Sequence, residues 1–400
     1  MDPGLVLQDW LPAEIAELLR LPLFDESTYG RVRIHERTAQ EYLAADWLAS
    51  LRRKGLPRKQ LDGLLFRRTP HVATPVLAPH LRATTAWLAL DDVPTQRRLI
   101  EIAPDVLLGD GDPSGIPVDE RPRILTAYVE QFRGRRRVLD SLAEISLRRF
   151  GCASLAEAIN RSVPDTNLPQ EVRRALLTIV AEGRIQACAA TALQAATDRN
   201  LEAEVRADAV TAASATVEGA EREALLALVW EPNLDHSIGL AVLRALFPVS
   251  MTDEDVAALL INSARKPQNL YTGLQFFFEH KLDRLCTHER RLGLARRLLD
   301  LMQEPARPDL NPRDRLSGKG ERVQRLGACR SCALKPISSE ANSGVRWLAR
   351  SLLTILRSIL GGVTDGDRLP PQVEAAIDYF EEQQKLHHDF CLARQGRGVS

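Results

Sequence analysis

Apolar side chains recur at the spacing of one helix face along most of the chain, and short polar or proline-containing breaks interrupt them. The pattern predicts helices over 10–21, 81–90, 95–102, 121–132, 170–181, 185–196, 202–215, 220–229, 237–247, 252–260, 345–360 and 373–386, with a further amphipathic region over 270–302. Eight prolines between 70 and 122 predict joints between elements. Helices of about ten residues separated by short breaks are typical of helical-repeat proteins.

One short stretch near the N-terminus has the spacing of a strand instead. Val32 and Ile34 alternate with polar residues, which predicts a strand with one buried face. Tyr29-Gly30 predicts a hairpin turn before it.

A helix is predicted directly after this strand. Thr38 is the expected N-cap, and Glu41 three residues later would complete a capping box. One apolar stripe is expected to pack inward, formed by Ala39, Tyr42, Leu43, Trp47, Leu48 and Leu51. His35, Glu41, Tyr42, Leu43 and Trp47 are therefore interpreted as a structural joint without catalytic chemistry.

The run Glu41-Tyr42-Leu43-Ala44-Ala45, placed after a strand and His35, resembles the end of the winged-helix region in NACHT-type and related STAND ATPases. Stretches at 87–90, 104–108, 111–114 and 206–209 are similar to the helical region of large bacterial STAND ATPases. The likeness covers roughly residues 5–260. It implies a helical array that lies downstream of a nucleotide-binding domain and recognises a trigger, for which phage infection is one example.

That nucleotide-binding domain is expected either to lie in a separate chain or to have been lost by truncation. The winged-helix-like segment begins about thirty residues from the first methionine, and no G-x-x-x-x-G-K-[ST] phosphate-binding loop occurs in the sequence. We therefore expect no ATP hydrolysis by this chain, no cofactor, and an ATPase subunit as one candidate partner.

The expected fold is all-α, a HEAT-like α-solenoid with a small winged-helix-like piece that contains a short β-hairpin. The expected divisions are the winged-helix-like piece at 1–55, the repeats at 56–302, an irregular segment rich in Pro, Arg, Gly and Ser at 303–344, and C-terminal helices at 345–393. In the repeat helix over 202–215, Val and Ala are expected to pack while Arg206 and Asp208 face outward.

Composition narrows the function classes. The 53 basic and 53 acidic residues balance, so a general affinity for polyanions is not indicated. No signal-peptide pattern opens the chain and no run has the length of a membrane span, which predicts a cytoplasmic protein. Six cysteines in 400 residues do not form a secreted disulfide framework.

Cys329 and Cys332 form a single CxxC pair, and a structural zinc ion needs four ligands. His388 and Cys391 would complete the set if the C-terminal helix folded back. A redox-active thiol pair and ordinary cysteines are the alternatives.

The densest basic patch contains Arg133, Arg135, Arg136 and Arg137. Such a patch on a solenoid would bind phosphates, but the neutral overall charge and the absence of interleaved aromatic residues favour a solvated, salt-bridged surface. Nucleic acid is therefore an unfavoured partner.

Three function hypotheses follow. The favoured one is a non-enzymatic sensor or scaffold region of a STAND-type regulator that binds a protein or other macromolecular trigger. The alternatives are a free-standing α-solenoid adaptor for proteins and a helical-repeat protein that binds nucleic acid.

Overall fold

The computed structural model describes residues 11–21, 24–27, 31–68, 74–134, 142–217, 219–231, 234–263 and 273–303, which are mostly helical. The predicted all-α fold with a small β-hairpin is confirmed. The chain divides into two compact units, unit 1 at 1–191 and unit 2 at 192–400. The division predicted from the sequence, at 55, 302 and 344, remains a prediction.

The described part of unit 1 contains short helices and four short strands. In chain order they are α1 (Pro12–Leu19), β1 (Phe24–Ser27), β2 (Arg31–Ile34), α2 (Arg37–Arg53), α3 (Arg58–Leu65), β3 (Phe66–Arg67), β4 (Val76–Leu77), α4 (Arg82–Leu88), α5 (Val93–Ile102), α6 (Pro104–Gly109), α7 (Arg121–Phe132), α8 (Glu144–Phe150), α9 (Ala156–Ser162) and α10 (Gln170–Gly183). Helix α11 (Ala189–Thr197) follows them along the chain.

The strands form two antiparallel pairs. β1 pairs with β2, with Phe24 opposite Ile34, which confirms the predicted strand. The predicted turn at Tyr29-Gly30 lies outside the described residues. A second pair, β3 with β4, places Phe66 opposite Leu77 and was not predicted.

Five of the prolines that predict joints stand inside the first turn of a helix. Pro104 begins α6, Pro94 and Pro122 are the second residues of α5 and α7, and Pro79 and Pro113 each begin a single 3-10 turn. The first turn suits proline because its missing N–H has no partner there and its fixed φ is already helical. Each joint therefore lies just before its proline.

Helices of unit 1 pack against elements that are close to them along the chain. α2 contacts α4, α6 contacts α5 and α7, and α8 contacts α10. Their fully buried side chains include Leu61, Leu65, Leu99, Val106, Leu108, Ile124, Leu125, Phe150, Leu155, Ile159, Val172 and Leu176. Contacts between near neighbours in sequence are the packing of helical repeats.

Two glycines let α8 and α10 approach closely. A Cβ atom built on Gly151 would lie 3.0 Å from Cα of Gly183, and one built on Gly183 would lie 3.2 Å from Cα of Gly151. The obstructing atoms belong to the backbone, so neither side can move away cheaply. The absence of a side chain at both positions fixes this helix crossing.

Unit 2 continues with α12 (Ala203–Thr216), α13 (Ala220–Leu226), α14 (His236–Leu246), α15 (Asp253–Ser263), α16 (Leu274–His280), α17 (Leu282–Leu285) and α18 (His288–Gln303). α12 packs on α14, and Ala209, Ala212 and Ala213 of α12 are fully buried. The small faces predicted for close helix stacking are thus present in this unit.

The start of α15 has a reciprocal capping arrangement. Thr252 Oγ1 accepts from the backbone N–H of Asp255 at 3.2 Å, and the Asp255 carboxylate accepts from the N–H of Thr252 at 2.8 Å. This reciprocal pair satisfies two N–H groups that the first helical turn leaves without partners.

Several sequence-based predictions fall on residues that the structure does not describe. These are the helices at 345–360 and 373–386 and the irregular segment, apart from Gln303, which ends α18. None of the described helices combines the length and the apolar character that a bilayer crossing requires.

Candidate interaction surface

The helix that the sequence marks as a joint begins differently from the prediction. α2 starts at Arg37, and its N-cap is Glu36, whose carboxylate accepts from the N–H of Ala39 at 2.6 Å. The predicted cap at Thr38 is therefore wrong. Glu41 does not close a capping box but accepts from Arg37 Nε at 2.8 Å, one helical turn back. The pKa of Glu36 is lowered by its hydrogen bonds to the backbone of Ala39 and Thr38.

Of the predicted apolar stripe of α2, only Leu48 is buried. Ala45 is the other buried residue of this helix, whereas Tyr42, Leu43 and Trp47 are 51%, 45% and 61% exposed. The expected inward packing of these three residues is therefore wrong, while their interpretation as part of a structural joint remains a prediction. His35 is exposed and Glu41 half-buried. We call Tyr42, Leu43 and Trp47 the aromatic face.

The aromatic face is held by contact with α4. The rings of Tyr42 and Trp87 meet edge to face, with centroids 5.2 Å apart and planes at 79°. The indole Nε1 of Trp87 is buried without a hydrogen-bond acceptor among the described residues. α4 packs against α2, and its residues Thr84, Thr85 and Ala86 are buried. The face is therefore presented by a packed helix.

An ion-pair cluster lies on the same α4 helix. The guanidinium of Arg82 is 2.8 Å from the carboxylate of Asp105 and 3.3 Å from that of Asp110. Burial raises the pKa of Asp110, and the charges of Asp105 and Glu41 raise it further, while Arg82 acts in the opposite direction. The cluster ties α4 to both ends of α6.

The C-terminal end of α2 and the start of α3 are basic. Two of the arginines have partners: Arg52 donates to the carbonyl of Leu56, and Arg58 pairs with Asp62 at 2.6 Å and with Asp92. Three exposed cations remain beyond them, namely Arg53, Lys54 and Lys59, which we call the basic end.

The basic end is weakly neutralised. Arg53 lies 3.8 Å from Asp46, and both of these side chains are more than half exposed. Neither Lys54 nor Lys59 forms an ion pair with another described residue. Such surface charges are free to attract an opposite charge.

The basic patch predicted at residues 133–137 has a different environment. Arg133 contacts the carboxylates of Glu130, at 2.9 Å, and Asp165, so its charge is neutralised within unit 1. Arg135, Arg136 and Arg137 lie outside the described residues. The one member that the structure describes behaves as a salt-bridged surface residue.

Cys329, Cys332, His388 and Cys391 lie outside the described residues, so the zinc site remains a prediction. Within the part of the chain that is described, no three His, Cys, Asp or Glu side chains come together as metal ligands would. Cys188 is buried there, and burial raises the pKa of its thiol to about 11.

Buried arginines donate hydrogen bonds to backbone carbonyls of neighbouring segments, which was not predicted from the sequence. Arg121 donates to the carbonyls of Ile116, Ser114 and Phe150 at 2.9–3.0 Å. In the same unit, Arg173 donates to the carbonyls of Val163 and Asp165 at 2.9 and 2.7 Å.

Arg206 does the same work in unit 2. It is 7% exposed, which makes its predicted outward position wrong. Its Nε donates to the carbonyl of Ala196 at 3.0 Å, and its Nη2 donates to both carboxylate oxygens of Glu231 at 3.0 and 3.1 Å. The recurrence of Glu-Val-Arg at 171–173 and 204–206 was the available signal.

Comparison of the chain with protein-family models, with curated proteins and with solved structures finds no match.

Proposed function

We propose that this chain is a non-enzymatic helical-repeat scaffold that binds a partner protein through the aromatic face. The observation that carries the proposal is the exposure of Tyr42, Leu43 and Trp47 on one packed helix. Tyrosine and tryptophan are the residues most enriched among those that dominate binding energy at protein interfaces.

The position of these side chains supports an interface role. Leu43 and Trp47 are four residues apart and therefore lie one above the other on the helix. Leu48, on the opposite side of α2, is 4% exposed, so the helix is anchored while the face stays outside. A pre-organised surface loses little conformational entropy on binding.

The STAND-type sensor remains the finer form of this proposal. It rests on the resemblance of the 41–45 run and of the stretches further along the chain, and it adds a separate ATPase subunit as partner. Co-purification of an ATPase with the full chain, dependent on the aromatic face, is the expected observation. A chain that signals without any ATPase partner would favour the free-standing adaptor.

Binding of nucleic acid finds less support. Arg133 has two carboxylate partners, Glu130 and Asp165, which neutralise its charge and repel phosphates.

The test replaces the apolar anchors with serine. Leu43→Ser/Trp47→Ser is compared with Ile145→Ser, because Ile145 of α8 is also apolar and 59% exposed. Exposed substitutions change the free energy of unfolding by about 0.5 kcal/mol or less, so both variants are expected to fold. Affinity purification from the source organism should then give a protein that the control variant captures in the same amount as wild type. The double variant should capture at least about tenfold less of it.

Binding of that protein is then measured with both components purified. Equal capture by the double variant and wild type would refute the aromatic face as an interface. Loss of self-association, seen by sedimentation of wild type against the double variant, would identify a second copy of the chain as the occupant.

A further inference from the structure

We propose that the aromatic face and the basic end together form one docking surface for an acidic segment of the partner protein. The inference rests on the proposed function and adds the chemistry of the partner to it. Four positions of the surface follow one line along α2.

The line consists of Leu43, Trp47, Ser50 and Lys54, spaced at i, i+4, i+7 and i+11. On a helix with 3.6 residues per turn these positions share one face, and they extend over about 16 Å at 1.5 Å per residue. Leu43, Trp47 and Lys54 are exposed, whereas the buried residues Ala45 and Leu48 are on the other side. A bound segment that covers Leu43 and Trp47 therefore also reaches Lys54.

The charge of the surface changes along this line. Its N-terminal carboxylates are engaged, since Glu36 caps the helix and Glu41 accepts from Arg37. Beyond Trp47, the exposed charges are Arg53, Lys54 and Lys59, opposed by Asp46 at 3.8 Å from Arg53. A partner that places carboxylates beyond its apolar anchors meets an attractive potential there.

A protein segment fits these features better than a lipid surface does. A helix that lies in a membrane interface presents a broad apolar face along its length. Here the exposed apolar side chains occupy about two turns, and the polar residues Asp46 and Ser50 lie within one turn of Trp47. Interfaces between proteins combine a small aromatic centre with a polar, charged rim in this way.

The probe is a displayed library of random peptides of about 16 residues, long enough to cover the line in an extended or helical form. Selection uses the full chain, and the bound peptides are then measured one by one. Two variants change the surface, Trp47→Ser and Lys54→Glu/Lys59→Glu. Two others serve as controls, Ile145→Ser and Lys281→Glu.

Lys281 provides the matched charge reversal. Both Lys54 and Lys281 are exposed residues that follow the last turn of a helix, so each reversal replaces an exposed cation by an anion at such a position, although Lys281 is also the N-cap of α17. A difference between Lys54→Glu/Lys59→Glu and Lys281→Glu therefore reports on binding.

The expected peptides carry an aromatic or Leu anchor and an excess of Asp and Glu. Trp47→Ser and Lys54→Glu/Lys59→Glu should each weaken their binding at least about tenfold, and the controls should leave it unchanged. Binding to wild type should also weaken between about 50 and 500 mM salt, because exposed charges are screened.

Each other outcome overturns a specific claim. Peptides that need Trp47 but carry no acidic excess, and that ignore the lysine reversals, overturn the acidic segment while the proposed function stands. Peptides that bind equally to Trp47→Ser, or a selection without any binder, overturn both. Vesicles with a phosphatidylserine content that the chain binds through Trp47, without acidic peptides, would assign the surface to a membrane.

Discussion

Replacement of Arg206 by methionine tests whether the buried arginines hold the helical repeats together. Methionine keeps most of the length of the side chain and its apolar packing but removes the guanidinium. The change deletes one hydrogen bond to the Ala196 carbonyl and two to the Glu231 carboxylate. It also leaves that carboxylate, with its side chain 15% exposed, without its main partner.

The expected change in the free energy of unfolding follows from the interactions that are lost and the one that remains. Removing one member of a buried charged pair costs about 3–5 kcal/mol, because the other charge stays buried. Arg199 lies 3.7 Å from the same carboxylate and would take over part of the interaction. We therefore expect Arg206→Met to lower the free energy of unfolding by about 2–4 kcal/mol.

The chain supplies its own control. Arg199 approaches the same carboxylate, but its side chain is 69% exposed, so Arg199→Met should cost about 1 kcal/mol or less. Glu231→Gln in the Arg206→Met background should recover part of the loss, since it removes the stranded charge.

Hydrogen exchange of the full chain measures these effects on the amides of α12 and α14, which pack on each other in unit 2. Exchange reports local opening free energies, so it stays meaningful when the two units unfold separately. Equal exchange in Arg206→Met and Arg199→Met would refute the structural importance of the buried arginine.

Two further predictions concern unit 1. Gly183→Ala should destabilise it by about 1–3 kcal/mol, because the new Cβ would press on the backbone of Gly151 at 3.2 Å. Gly63→Ala, with open space around it inside α3, should be neutral or stabilising by up to about 1 kcal/mol. Urea unfolding followed by circular dichroism compares the two variants. The pKa of Asp110 is raised on folding, so the folded state binds its proton more tightly, and this group lowers stability as pH rises from its ordinary pKa of 3.8 through the raised value. Asp110→Asn should remove that downward slope, and an unchanged slope would contradict the direction of the shift.

The helical content was predictable because it depends on the spacing of apolar residues, which is local. α7 spans the predicted 121–132, and α5 and α12 lie within two residues of their predicted limits. The pair β3 with β4 was missed because two residues per strand are too few to show a period.

The buried arginines were missed for a different reason. A charged residue on a repeat helix is expected outside, and its burial is favourable only where carbonyls or a carboxylate of other segments accept its hydrogen bonds. Those carbonyls face Arg173 and Arg206 because the chain turns before α10 and before α12. Sequence spacing alone does not show where a loop directs its carbonyls.

The aromatic face shows why an apolar stripe does not identify its own partner. α2 carries two candidate faces, one with Tyr42, Leu43 and Trp47 and one with Ala45 and Leu48. α2 packs against α4, whose residues Thr84, Thr85 and Ala86 are buried, and the residues that α2 itself buries are Ala45 and Leu48. The alanine face is therefore the buried one, and the larger apolar side chains stay at the surface, where a partner protein can cover them.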